Sequence, residues 1–461
     1  MKKLNNNKFV ILFMAIILLG ISCKKTFYTN TNNNPNAPDP SSIIPSVLLS
    51  TVEGTMAYTQ GGDFSRYTSL ITQQTSSNSR QGGAYYQYIF TSVDFDSPWG
   101  NLFTSVMENN HTLMQIADTK GDNGYGGISR VLMAYSLQLA VDSWGGIPYS
   151  EAFQGASKLQ PKFDNDKALY DTIFNLLNVA ISKLTDPDVG LDEPGAEDVI
   201  YGGDLSKWVK FAHAIKARLY IHQSKGDIAM ANNTLAEIAQ SFTSNADNAQ
   251  YLFSGGTETS ANPWYQFNQQ RGDISFDVSP LGKKLDATND PRYTIFTTPL
   301  DANGDYTDVN VVGMGDYYGS QTAPVEFISY DELLFMKAEA TLRATGNIPS
   351  AQASYVLGIQ KNMEKLGVSA AATATYVAAN STLPASVDAA IAKVAEQEYI
   401  ALYLNPEAWT LWRRTNSPNL TPVVGTKIPR RFLYPQTEIS YNGTNVPSSV
   451  TLYSPTIFWD K

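Results

Sequence analysis

Only one cysteine, Cys23, occurs in 461 residues, so no disulfide within the chain can hold its fold together. A body of this length must be stabilised by buried apolar surface alone. The position of that cysteine is equally restrictive. It follows Phe9 to Ile21, an uninterrupted apolar run behind Lys2, Lys3 and Lys8, with the small residue Ser22 in between. A positive start, a short apolar stretch and a small residue at its end describe an export segment, whereas a membrane-spanning helix needs about 20 apolar residues. The pattern predicts a lipoprotein signal over residues 1–22 with the Cys23 thiol as acylation site, although Gly20 stands where such signals usually carry leucine. An ordinary secretory signal with an incidental cysteine is the competing reading. One acyl chain anchors only marginally, at about 0.8 kcal/mol per buried methylene, so durable attachment to a bilayer needs more than one chain on Cys23.

The roughly 440 residues beyond the signal exceed what one compact core usually supports, which points to two sub-structures or an extended helical array. The formal net charge is −10, and loss of residues 1–22 removes three lysines and no acid. A surface that negative repels polyanions, so nucleic acid is excluded as the main partner. Charged residues make up 16% of the chain against about 25% in a typical globular domain. Aromatics make up 11%, so rings and neutral polar groups must take up surface that charges would otherwise hold. Such a surface suits sugars or peptides better than ions, because a ring lays an apolar face on a flat partner while Tyr and Trp keep a hydrogen-bonding group.

Residues 24–45 are dominated by Asn, Thr, Pro and Ser, including Asn32 to Pro38, without an apolar period, and read as a tether following the anchor. The domain proper is expected over 46–461. Helical patterns recur there. Leu169, Ile173, Leu176, Ala180 and Leu184 form one stripe, ended by Asp186-Pro187. Leu205, Trp208, Val209, Ala212, Ile215 and Leu219 form a second behind an Asp204 cap. A third helix opens at Ser329 with Glu332 three residues on, a capping-box arrangement, and stops before Gly346. Val387, Ile391, Val394, Ala395, Tyr399 and Leu402 give a fourth.

Two helix-to-helix joints look alike: Gly226-Asp227-Ile228-x-x-Ala231 and Gly346-Asn347-Ile348-x-x-Ala351. Stacked helical hairpins leave this pattern. The fold class is therefore mainly α, a tetratricopeptide-like superhelix of helical hairpins with long loop insertions and little β. Residues 250–327, rich in Gly and Pro and poor in periodicity, form the clearest insertion, and long irregular segments usually carry function.

Chemistry-bearing motifs are scarce. The three histidines, His111, His213 and His222, have no three- or four-residue spacing, so a His-based zinc or nucleophile site has no support, and His213 and His222 are expected at the edge of a helix interface. No phosphate-binding glycine loop occurs, and nothing calls for a cofactor. Asp301-Ala302-Asn303-Gly304-Asp305 offers oxygens at alternate positions like a calcium loop, but Tyr306 and Val312 stand where that loop needs glycine and a bidentate acid, which leaves an Asx-rich turn as the alternative. Asp94 with Asp96, and Glu396 with Glu398, are carboxylate pairs whose i, i+2 spacing points them apart on a helix.

Several segments in order along nearly the whole chain resemble the SusD/RagB family of nutrient-binding outer-membrane lipoproteins. They are Asn34 to Pro38, the loop Asp142 to Ala152 centred on Trp144, and Asp290-Pro291-Arg292-Tyr293. Tyr330 to Ala340, Glu396 to Tyr399, Trp412-Arg413-Arg414, and Ile428 to Phe432 with Tyr434, Pro435 and Glu438 complete the set. The resemblance implies a superhelix acting as a lid over a TonB-dependent (SusC-like) outer-membrane transporter, lipid-anchored and facing the cell exterior, that captures a glycan, or a peptide in some members, and releases it inward. It implies binding and no bond cleavage. The motif residues themselves are expected to serve the fold, with Trp144, Pro148 and Tyr149 pinning a loop and Arg430, Arg431 and Glu438 tying down the C-terminal segment.

The family transfers no ligand-contacting position. Ligand contacts are expected from aromatics in irregular segments: Tyr85, Tyr86 and Tyr88, then Trp264 and Tyr265, then Tyr317 and Tyr318, with Arg271 adding hydrogen bonds. Two other classes compete with nutrient capture. An exported helical glycoside hydrolase would need aromatic subsites and two carboxylates, and a surface scaffold would grip proteins in its superhelix.

Overall fold

The computed structural model describes residues 43–186, 193–297 and 314–460. Cys23, the tether up to residue 42 and the Asp301 segment lie outside these residues. The longer helices are α1 (Pro45–Thr59), α2 (Glu108–Lys120), α3 (Asn123–Trp144), α4 (Asp166–Leu184), α5 (Leu205–His222) and α6 (Ile228–Ile238). After the insertion come α7 (Tyr330–Thr345), α8 (Ile348–Lys365), α9 (Ala370–Asn380), α10 (Val387–Ala401) and α11 (Glu407–Thr415). Successive helices pack on one another: α2 on α3, α3 on α4, α5 on α6, and α7 on α8. The hairpin superhelix expected from the joints is therefore the architecture. No helix among the described residues is long and apolar enough to cross a membrane.

Each periodic stripe buries its apolar face. Leu169, Ile173, Leu176, Ala180 and Leu184 are buried along α4, and Trp208, Ala212, Ile215 and Leu219 along α5, which Asp204 caps by accepting hydrogen bonds from the Ser206 and Lys207 amides at 3.0 and 3.3 Å. α3 is buried on nearly every side, as an apolar-all-round helix must be at the centre of a bundle. The two joints share a left-handed glycine followed by an Asx cap: Gly226 and Gly346 have φ of 76° and 65°, and Asp227 and Asn347 then cap the following helices. A left-handed residue costs an L side chain roughly 1–2 kcal/mol, so a glycine takes the position before the Asx cap in both joints; Gly346 is itself the C-cap of α7, while Gly226 lies in the turn beyond the Gln223 end of α5.

One cap differs from expectation. Ser329 precedes α7 but makes no side-chain cap bond, and Glu332 is drawn inward, where Arg218 donates to its two oxygens at 2.8 Å each. A buried guanidinium fork binds the carboxylate more strongly than the single backbone amide of a capping box would. The insertion also holds more order than its composition suggests. Strand β1 (Ala249–Leu252) pairs antiparallel with β2 (Pro324–Ile328) at its base, and short helices such as Pro263–Gln270 and Pro280–Ala287 lie between. Two turns of helix are too short to leave a readable period.

The segments that carry the family resemblance are one another's partners. Trp144 donates to the Leu433 carbonyl at 2.9 Å, and Arg431 reaches the Trp144 carbonyl. Arg292 forks onto Asp290 at 2.7 and 2.9 Å and also donates to Gln397, while Arg414 bonds Glu339 and approaches Glu398 at 3.4 Å. Arg430 pairs with Asp460, and Glu438 accepts from Asn442. Burial alone would raise the carboxyls of Asp290 and Glu339, and the guanidinium groups on them hold both below the usual range instead.

Candidate functional site

α1 buries Leu49, Val52, Met56 and Ala57, which turns Ser50, Thr51, Gly54, Thr55 and Tyr58 toward solvent at helical spacing. This face forms one wall of an open cleft of about 410 Å³. Tyr251 and Phe253 stand opposite with Ser254, Thr259 and Ser260, while Asn101 and Ser105 contribute from the irregular helix Asn101–Met107. Pairing of Tyr251 with Val325 fixes which face of β1 the ring takes, so Leu252 next to it points away and is exposed. The rings of Tyr251 and Phe253 meet edge to face, 5.0 Å apart at 69°, and Tyr58 is 44% exposed.

No lining residue carries a charge. The hydroxyls of Thr51, Thr55 and Thr59 donate to carbonyls one helical turn back at 2.7–2.8 Å, so each keeps lone pairs to accept from a ligand. Asn101 and the Ser105 hydroxyl have no partner among the described residues and are free to donate as well. Burial, and after it the neighbouring Glu53, raise the Tyr251 phenol above its ordinary pKa, so it stays neutral. The exposed Tyr58 ring and the half-buried Tyr251 ring, the latter backed by buried Phe253, lie among neutral donors and acceptors and can stack on the apolar face of a sugar and exchange hydrogen bonds with its hydroxyls.

The sequence candidates fall elsewhere. Tyr85, Tyr88, Trp264 and Tyr318 are buried, and packing accounts for their rings. Tyr85 stacks on Phe90 at 4.6 Å and donates to Asp94 at 2.6 Å, and Tyr88 accepts from the Val423 amide at 3.2 Å. The Trp264 indole donates to Ser65 at 2.8 Å, and Tyr318 packs on Phe296 and Tyr403. Trp264, Tyr317 and Tyr318 line a narrow space of about 30 Å³, too small for a sugar ring. Tyr317 donates from there to Glu326 at 3.0 Å. Tyr86 is half-buried, and Tyr265 accepts from Gln321 at 3.0 Å. Arg271 lies beside Arg80, which donates to its carbonyl, and its guanidinium sits 5.9 Å from the Phe267 ring and 3.5 Å from Asp273.

The cleft aromatics Tyr58, Tyr251 and Phe253 escaped notice in the sequence. Their signal was present but faint: Tyr58 falls on the polar side of an otherwise apolar helix, and Tyr-x-Phe alternates with strand period at the start of the insertion.

One expectation for the histidines changes. His213 does sit at a helix boundary, paired with Glu237 at 2.6 Å, but His222 is fully buried. It contacts Glu407 at 2.8 Å and Tyr170 at 2.9 Å, with Asp142 at 3.6 Å. Candidate ligand atoms of Asp142, His222 and Glu407 lie within 4.8 Å of one another. Trp459 and Tyr170 already donate to Asp142, so the trio acts as a polar junction between α3, α5 and α11. Residues so far apart in sequence give no spacing signal. The carboxylate pairs do point apart, as expected: Asp94 takes Tyr85 and Asp96 takes Thr437, while Glu396 meets Lys284 and Glu398 faces Arg414.

A family model for SusD-like proteins, described as starch-binding and associating with the outer membrane, matches residues 35–435. No curated protein sequence matches. Solved structures do. A SusD/RagB family protein from Bacteroides thetaiotaomicron is 23% identical, with a TM-score of 0.72 over 91% of this chain and 99% of that one. A chitin-binding SusD homolog from Flavobacterium johnsoniae is 21% identical, with a TM-score of 0.71 over 90% and 97%. A further chitin-binding protein is 22% identical, with a TM-score of 0.75 over 91% and 100%. At these identities the likeness is one of fold.

Proposed function

The chain belongs to the SusD-like family, described as starch-binding and associating with the outer membrane, and from that premise we propose that it captures an oligosaccharide in the α1–β1 cleft. It then delivers the sugar to a TonB-dependent transporter. The observation that carries this reading is the cleft's lining: three rings, eight side-chain hydroxyls of Ser and Thr, one carboxamide and no charge. The same lining favours capture over cleavage, because glycoside hydrolysis takes two carboxyl groups flanking the bond and none lines the cleft. Two solved relatives of this fold carry names that record chitin binding, which fits a sugar of the same general kind.

Acylated Cys23 holds the body at the outer membrane, facing outward, and residues 24–45 give it reach. Anchoring on a leash lets the lid open and close over a barrel without leaving it.

The capture step is tested by native electrophoresis of the protein through gels containing soluble starch, glycol chitin or xylan. Retardation by at least one, lost in Tyr58→Ala and Tyr251→Ala, is expected; unchanged mobility in every gel ends the reading. The partner is tested by affinity isolation from detergent-solubilised outer membranes, where a TonB-dependent barrel should co-purify in stoichiometric amount.

A further inference from the structure

Gly54 sits in the interior of α1, where glycine destabilises a helix by roughly 0.5–1 kcal/mol relative to alanine, so its presence there calls for a reason. The reason lies across the cleft. A β-carbon built at position 54 would stand 3.2 Å from the Tyr251 hydroxyl oxygen, 3.7 Å from Cζ and 4.0 Å from Cε2, and these are its three nearest neighbours. The Tyr251 phenol therefore lies over bare α1 backbone in space that any other residue would claim. Tyr251 is half-buried, and no hydrogen bond within the described residues holds its hydroxyl. Contact with α1 and the edge of Phe253 keep the ring in place.

We infer that Gly54 is a specificity-determining position of the cleft, whose missing side chain lets Tyr251 lie down on α1 as the platform on which an uncharged pyranose ring stacks. This rests on the oligosaccharide reading above. A side chain at 54 lifts the phenol off the helix by a few tenths of an ångström for alanine and further for a longer residue, tilting the platform toward Tyr58 and narrowing the gap. The class of ligand follows from the surroundings. A sugar carboxylate or sulfate brought here would lose water and meet no cation, and the exposed Glu258 stands next to Thr259 of the lining. Neutral sugar hydroxyls instead find lone pairs on Thr51 and Thr55 and donors on Asn101 and the Tyr251 phenol.

The test measures affinity of the full chain for maltohexaose, cellohexaose, chitohexaose and hexagalacturonate by calorimetry, alongside thermal melting, for wild type, Gly54→Ala and Gly54→Leu. Wild type is expected to bind at least one neutral hexamer and to ignore hexagalacturonate. Gly54→Ala should bind about fivefold to tenfold more weakly, and Gly54→Leu more weakly again. The melting midpoint of Gly54→Ala should equal or exceed that of wild type, because alanine favours the helix. Loss of affinity with gain of helix stability is a pair of effects that general unfolding cannot produce. Equal affinity in all three proteins, or a loss of affinity matched by a fall in melting midpoint of Gly54→Ala, overturns the role of Gly54. Preference for hexagalacturonate overturns the ligand class. Failure of wild type to bind any hexamer instead removes the oligosaccharide reading itself.

Discussion

At the scale of single residues, the interior of this protein is unusual for the charge it holds. Arg218, Arg292, Arg413 and Arg414 are all fully buried, and each finds acceptors or a ring: Arg413 lies 3.9 Å from the Trp409 ring. Removing one member of a buried pair leaves the other uncompensated, which costs about 3–5 kcal/mol, more than the pair itself contributes. Arg292→Leu should therefore lower the free energy of urea unfolding by about that amount, and Asp290→Leu added to it should restore a large part. Glu53 offers a second test. Its carboxyl is raised well above the usual range, first by burial and then by the Asp198 carboxylate. The folded state then holds a proton that the unfolded state releases near pH 4–5, so stability is full below that pH and declines as pH rises toward the folded pKa. Glu53→Gln keeps the shape without the proton. Its melting midpoint relative to wild type should rise between pH 5 and pH 8, and a constant difference would show that Glu53 is ionised in the fold.

At the scale of elements, the two glycine joints give matched predictions. Asp227→Ala and Asn347→Ala each remove an N-cap and should cost about 1 kcal/mol. Gly226→Ala and Gly346→Ala should each cost roughly 1–2 kcal/mol through φ alone, since an added β-carbon meets nothing closer than Val387 at 3.7 Å. Ser329→Ala, by contrast, should cost less than either cap substitution in the same denaturant titration, because its hydroxyl makes no cap bond. The capping-box pattern at Ser329 and the true caps at Asp227 and Asn347 look alike as strings. They differ because Glu332 has a buried arginine within reach, which a sequence window of four residues cannot contain.

At the scale of the whole molecule, the net charge of −10 and the neutral cleft act separately. Charges outside the cleft are screened beyond about 8 Å at 0.15 M salt, so affinity for a neutral hexasaccharide should vary less than twofold between 0.05 and 0.5 M NaCl. A strong salt dependence in calorimetric titrations would move the binding site to a charged surface such as that around Arg66 and Arg271. Anchoring is likewise a property of the whole: Cys23→Ala should leave ligand affinity intact while releasing the protein from sedimented membranes, because the thiol belongs to the tether and the cleft to the body.

What the sequence determined by itself was whatever repeats over short distances. Apolar stripes at 3.6-residue spacing, Asx caps and the twin glycine joints specify hairpins locally, and a long chain of hairpins without disulfides has little choice but to stack them. Tertiary structure alone decided which aromatic rings stay in water. Tyr85, Tyr88, Trp264 and Tyr318 sit in segments that look irregular, yet neighbours more than a hundred residues away meet two of them, Val423 at Tyr88 and Ser65 at Trp264, and Phe90 and Tyr67 cover Tyr85. Tyr58, on a regular helix, is left bare by the same packing. Exposure is a sum over contacts from the entire chain, and no local pattern of residues encodes a sum of that kind.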